Sequence, residues 1–243
     1  MFDYFRFSLP RAVTEQLVEK LETMAHGALT ENALEKLVEL QRIWKTRSGV
    51  YIIYHKDKAV YVGKTNKLVE RLKQHRRKLS GRQFIVLSEL GFKALLLDEN
   101  WSTSTNEELL IEHFKKNGEA EWNNAGFGPK DPGRNRDGSG PSVFDLAYPI
   151  REDFPVTGLS GETTVIDALL CLKKQLPFLL RYDKRATECM DAISFAKVPQ
   201  NTKAVCIHIA KSLGEEWQLM WFKSHITLYR TNKNFEHGER LHP

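Results

Sequence analysis

Apolar residues fall first at helical and then at strand spacing along this chain. Val13, Leu17, Leu21 and Met24 recur every three or four positions after Pro10, and a second run of this kind extends from Asn32 to Trp44. These predict a helical N-terminal arm. From Val50 to Gly63 the residues become β-branched or aromatic, interrupted by His55-Lys56-Asp57-Lys58, which predicts a hairpin with a short polar connection. Asn66 can cap a helix running to about Leu79, Phe92 to Asp98 reads as a third strand, and Thr105 opens another helix.

Between Asn123 and Pro141 the pattern dissolves into Gly, Pro, Asn, Asp and Arg, the composition of an ordered but irregular loop. It resumes after Pro155 with an amphipathic helix near Thr164 to Leu176. Strands are predicted at Leu179 to Tyr182, Ala204 to Ile209, Gln218 to Phe222 and His225 to Tyr229. The expected organisation is therefore a helical arm over residues 1–47, a core with its loop over 48–154, and an α+β unit over 155–243 whose role no motif assigns. Trp217, Trp221 and Tyr229 are read as packing residues of that last unit.

Charge narrows the class of partner. The 243 residues carry a net charge of +5, and many of the cations lie in two stretches, Lys64 to Arg82 and Lys130 to Arg136. Nucleic acid is favoured over a membrane surface. Cys171, Cys189 and Cys206 form no C-x-x-C pair, which argues against a disulfide framework or a zinc site and for a reduced, cytoplasmic setting. The N-terminus has no basic region followed by an apolar run, and no apolar stretch is long enough to span a bilayer, so neither export nor membrane insertion is expected.

Four residues near the hairpin suggest phosphodiester chemistry. Leu68, Leu72, His75 and Leu79 share a helical stripe with Arg71 at its edge, so packing that stripe on the hairpin brings Arg71 and His75 toward Tyr51 and Tyr61. Taken singly, His75 reads as a core histidine, Arg71 as a solvated charge and the tyrosines as strand aromatics. Together they supply what phosphodiester hydrolysis needs: a base for water and a cation for the developing charge. A tyrosine base needs help from His75 or a cation such as Lys64, because a phenol keeps its proton near neutral pH.

Phosphodiester hydrolysis usually also uses a divalent metal held by a carboxylate, and Glu107, Glu108 and Glu112 lie on the helix that Thr105 opens. Glu108 fits the last position of a capping box begun by Thr105. Glu112 lies opposite Leu110 and Phe114, as a solvent-facing glutamate or a ligand in an open cleft would. One carboxylate completed by water and phosphate oxygens suits Mg²⁺, with Mn²⁺ as a substitute. Asn123 can orient a phosphate or fix a turn. Lys130, Arg134 and Arg136 of the basic loop are expected to contact DNA, phosphate contact being the simpler use and guanine reading the other.

Gly49-Val50-Tyr51, Tyr61-Val62-Gly63-Lys64, Arg71, His75, Glu112 and Asn123 resemble, in order, the signature of the GIY-YIG nuclease superfamily. The resemblance covers about Ser48 to Asn124 and implies an α+β core, a small three-stranded antiparallel sheet flanked by helices. It moves the metal ligand to Glu112 over Glu108, and leaves Asn123 or Asn124 as the terminal asparagine. Asn123-Asn124-Ala125-Gly126-Phe127-Gly128, Asp131-Pro132-Gly133 and Ser142-Val143-Phe144-Asp145 look like the restriction endonuclease branch. That branch implies a homodimer that cuts both strands of a short palindromic site, whereas the short connection from Gly63 to Arg71 is closer to the repair-type module.

The sequence is thus expected to encode a Mg²⁺-dependent endonuclease for double-stranded DNA, of type II restriction kind. Tyr51, paired with His75, is the candidate base, assisted by Tyr61 or Lys64; Arg71 stabilises the phosphate and Glu112 holds the metal. The alternatives are a structure-specific repair or defence nuclease, and a DNA-binding module that keeps the fold without cutting.

Overall fold

The structure, a computed structural model, describes residues 8–97, 104–128, 131, 133–189 and 191–242. By their contacts these form two compact units, one of residues up to 76 with 86–128, the other of residues 77–85 with those from 129 onward. Residues 129–154 thus group with the C-terminal unit, and the N-terminal helices with the hairpin.

In the first unit, α1 (Leu9–Thr23) opens with Pro10, whose missing N–H costs nothing in a first turn, and buries Thr14, Leu17, Val18 and Leu21. After the two-residue β1 (Gly27–Ala28), α2 (Glu31–Ile43) is capped by Thr30, whose hydroxyl accepts from the Ala33 N–H at 3.2 Å. The hairpin of β2 (Gly49–His55) and β3 (Lys58–Thr65) turns on Lys56 and Asp57 alone, both at positive φ, as a two-residue turn requires. Next come α3 (Leu68–Ser80), β4 (Leu90–Leu96) and α4 (Ser104–Lys116). The expected third strand is therefore β4, and Asp98 lies outside the described residues.

The sheet runs β1-β4-β2-β3, antiparallel throughout: the three expected strands plus a short edge piece. Central β2 is buried along its whole length because both of its faces are covered. Val50, Ile52 and Tyr54 pack with Leu17, Val18 and Leu21 of α1 and Leu110 and Phe114 of α4. Each such buried side chain contributes about 1.5–3 kcal/mol. Alternation then turns Tyr51 to the opposite face, where α3 lies.

The second unit contains α5 (Val143–Ala147), β5 (Glu162–Thr164), α6 (Val165–Gln175), β6 (Leu179–Tyr182), β7 (Ala192–Ser194), α7 (Thr202–Leu213), β8 (Trp217–Trp221), β9 (His225–Arg230) and β10 (Glu239–His242). A mixed sheet runs β10-β8-β9-β6, with β6 parallel to β9, and β5 pairs with β7. Trp217 and Trp221 lie in its core, as packing residues should.

The strand expected at Ala204 to Ile209 is instead the middle of α7. Asn201 caps it by accepting from the Ala204 N–H at 2.9 Å, and it ends at Gly214, φ 96°. Its buried residues Thr202, Val205, Cys206, Ile209 and Ala210 follow helical spacing, and that periodicity outweighs the β-branched composition of the middle. Among the described residues no helix is long and apolar enough to cross a membrane.

Candidate active site

Tyr51 and Gly63 stand opposite each other in the β2/β3 ladder. The glycine is required there: a Cβ on Gly63 would lie 2.5 Å from the Tyr51 hydroxyl oxygen. Tyr51 reaches over that gap to His75 of α3, with its hydroxyl 2.8 Å from Nε2. Tyr61 joins from β3, its ring centre 6.1 Å from that of Tyr51 and 5.2 Å from that of His75. The helical stripe therefore brings His75 to both tyrosines as expected.

Arg71, one turn before His75, is half-buried and interacts with both tyrosine hydroxyls. Its Nη2 donates to the Gly128 carbonyl at 2.8 Å. Gly128 adopts φ 98°, and a Cβ there would lie 2.6 Å from the Tyr61 hydroxyl. Phe127, almost wholly buried, packs between Tyr61, His75 and Trp122 at 4.9–5.2 Å. Segment 122–128 thus forms one wall of the cluster.

Burial, and then the neighbouring Tyr61, push the Tyr51 hydroxyl far above the usual phenol pKa against the opposing pull of Arg71. Burial raises Tyr61 as well, again opposed by Arg71. Both phenols hold their protons at neutral pH, so neither is a standing phenolate.

The carboxylate that approaches this cluster is Glu107, whose Oε1 accepts from the Lys64 N–H at 3.4 Å and whose charge acts on Tyr61. Glu112 does not join it. Glu112 is exposed, in a shallow depression with Arg11, Glu15 and Lys116. Five residues apart, the two glutamates point about 140° away from each other around the helix. A signal for Glu107 was present: it precedes Leu110, Ile111 and Phe114 by three, four and seven residues, on the buried stripe, whereas Glu112 lies off it. Glu108 is exposed too, and the Thr105 side chain of the expected capping box lies outside the described residues. Lys64 sits on β3, joined to Glu107 through its backbone.

Asn123 lies within the wall and acts on the backbone. The Val62 N–H donates to its Oδ1 at 2.9 Å, and its Nδ2 donates to the Val62 carbonyl at 2.8 Å. Asn124 is exposed, at φ 64°. Of the two uses foreseen for Asn123, fixing the loop is the one its contacts serve.

The basic loop belongs to the second unit, where its arginines have partners. Arg136 donates to Asp145 at 2.5 Å and to Ser224 at 3.0 Å, while Arg134 is exposed over the Tyr229 ring at 5.0 Å. Lys130 lies outside the described residues. Among the described residues no group of three or more His, Cys, Asp or Glu side chains converges. The carboxylate beside the cluster, that of Glu107, is a hard oxygen donor of the kind Mg²⁺ takes together with water.

Residues 47–122 match the GIY-YIG catalytic domain, a span of under one third of the chain. This domain implies a nuclease and, with it, a DNA substrate. No curated protein matches the chain. The match ends at Trp122, so Asn123, Phe127 and Gly128 complete the cluster from beyond it.

Proposed function

We propose that this GIY-YIG nuclease is a Mg²⁺-dependent endonuclease acting on double-stranded DNA, a type II restriction enzyme that works as a homodimer. The observation that carries the chemistry is the hydrogen bond of 2.8 Å between the Tyr51 hydroxyl and His75 Nε2, beside a half-buried arginine. Since burial holds the phenolic proton in place, Tyr51 acts in a relay. Its oxygen takes a proton from the attacking water as its own proton passes to His75 Nε2. Arg71, charged throughout, stabilises the negative charge that develops on the phosphate oxygens.

Glu107, rather than Glu112, is the residue we assign to the metal, because its carboxylate is the one beside Tyr61 and Lys64. When bound there, Mg²⁺ supplies Lewis-acid polarisation of the phosphate oxygens. The restriction reading and the dimer rest on the resemblance of segments 123–133 and 142–145 to that branch.

Incubation with a random duplex pool and Mg²⁺, followed by sequencing of the ends, tests the proposal. Paired cuts of fixed stagger at a palindrome are expected, with sedimentation giving a dimer. Cuts without sequence preference, confined to branched or damaged DNA, would replace restriction with a structure-specific nuclease. Metal-independent binding with no cleavage of any DNA would sink the enzymatic reading.

A further inference from the structure

Within the first unit, the end of α2 and the start of α3 enclose a groove of about 500 Å³ whose charged lining residues are Arg42, Lys45, Arg47, Glu70 and Lys73. Arg47 pairs with Glu70. That carboxylate also stands in the first turn of α3, where the helix dipole favours an acidic group, so its charge is already in structural use. The side chains of Arg42, Lys45 and Lys73 make no hydrogen bond or ion pair among the described residues. Their positive charge has no counterpart inside the groove.

Cations at the end of a helix often serve its last carbonyls, but here the backbone does that. The Trp44 N–H donates to the Leu40 carbonyl at 2.9 Å and the Thr46 N–H to the Gln41 carbonyl at 3.2 Å, a closure in which the residue after the cap turns left-handed. That residue is Lys45, at φ 51°. Glycine is the usual occupant of such a position, so the chain keeps a charged side chain where a bare backbone would be less strained. The Gln41 amide donates to the Arg47 carbonyl at 3.2 Å and the Thr46 hydroxyl to the Leu97 carbonyl, which hold the turn in place.

We infer that this groove is a second DNA-contacting surface of the nuclease unit, gripping backbone phosphates other than the one attacked through Arg42, Lys45 and Lys73. Arg71 and His75 turn toward the tyrosines, whereas Lys73, two residues from each, lies about 200° around α3 and lines the groove. One phosphate cannot touch both sides of a helix about 10–12 Å across. Lysine and arginine heads in an open groove suit phosphate contact, which positions a duplex and carries no sequence preference. The inference rests on DNA being the substrate.

The test is binding of the full chain to a short duplex of random sequence in EDTA, titrated across salt concentrations. Arg42→Gln/Lys73→Gln is expected to weaken binding about tenfold or more and to lower the slope of log affinity against log salt by about 2. Lys20→Gln, an exposed change on α1, should leave both unchanged. Lys45→Gly should lower the slope by about 1 while raising the urea midpoint, a combination that a merely structural lysine would not give. An unchanged slope in either groove variant, or an equal loss in Lys20→Gln, overturns the inference and leaves the DNA reading standing. Failure of the wild-type chain to bind any duplex sinks both. Sedimentation with phosphatidylserine vesicles that needs these residues, beside DNA binding that does not, would overturn it in favour of a membrane surface.

Discussion

Asn123 pairs with Val62 through both ends of its amide, accepting from the backbone N–H and donating to the backbone carbonyl of the same residue. The side chain thereby extends the β3 edge as another strand would, next to the Trp122 N–H that donates to the Val60 carbonyl at 2.8 Å. Asn123→Ala leaves two buried backbone groups of Val62 unsatisfied. A loss of about 3 kcal/mol in urea unfolding is expected, together with slower cleavage. Unchanged stability would remove Asn123 from the framework of the site.

Glu107 and Glu112 share a helix but not a destination. Glu107→Gln is expected to slow cleavage by roughly 10²–10³-fold at saturating Mg²⁺ with little change in unfolding midpoint, and Glu112→Gln to stay within about twofold of wild type. Single-turnover rates on a cleavable duplex separate the two. The reverse pattern would return the metal to Glu112.

Gly128 connects the two halves of the cluster, since its carbonyl holds Arg71 and its bare Cα admits the Tyr61 hydroxyl. In Gly128→Ala the methyl group meets that hydroxyl and the residue must hold φ 98°. About 1–2 kcal/mol of stability should be lost, and the cleavage rate should fall further than Arg71→Lys alone would predict if both residues are displaced. A cleavage rate equal to wild type would show that neither is.

His225 gives the second unit an acid-sensitive point. Burial, then the charge of Arg181, hold its pKa at about 4 despite the opposing pull of Asp137. The unfolded chain protonates near the ordinary histidine value, so it takes up the proton first. Stability is therefore intact above about pH 6.5 and declines as the pH falls toward 4, by about 3 kcal/mol at most. Unfolding midpoints across that range should fall for wild type and change less in His225→Gln; parallel curves would assign the acid sensitivity elsewhere.

How much of this could be read in advance depends on how local each cause is. The hairpin and α1, α2 and α3 were legible because a single segment carries its own pattern, from the repeat of Leu17 and Leu21 to the polar break at Lys56-Asp57. The Tyr51–His75 meeting was legible for the same reason, as the outcome of one hairpin and one stripe. The approach of Glu107 to the Lys64 backbone was not foreseen, although its stripe was visible, because the signature drew attention further along α4 to Glu112. At 204–209 a β-branched run outweighed the Asn201 cap and the terminal Gly214. The partners of Arg136 and the wall made by Phe127 are contacts across the fold, and composition carries no trace of them. A basic loop reads the same whether its arginines face DNA or Asp145.

The missing side chain at Gly63 also offers an experimental tool. Removing Tyr51, His75 or Arg71 alters the charge and hydrogen bonding that a DNA strand would meet, so binding and chemistry change together. A single methyl group at position 63 would instead displace the Tyr51 hydroxyl and leave every polar group of the cluster present. Such a protein would be a silent twin of the nuclease, suited to capturing its substrate before any strand is cut.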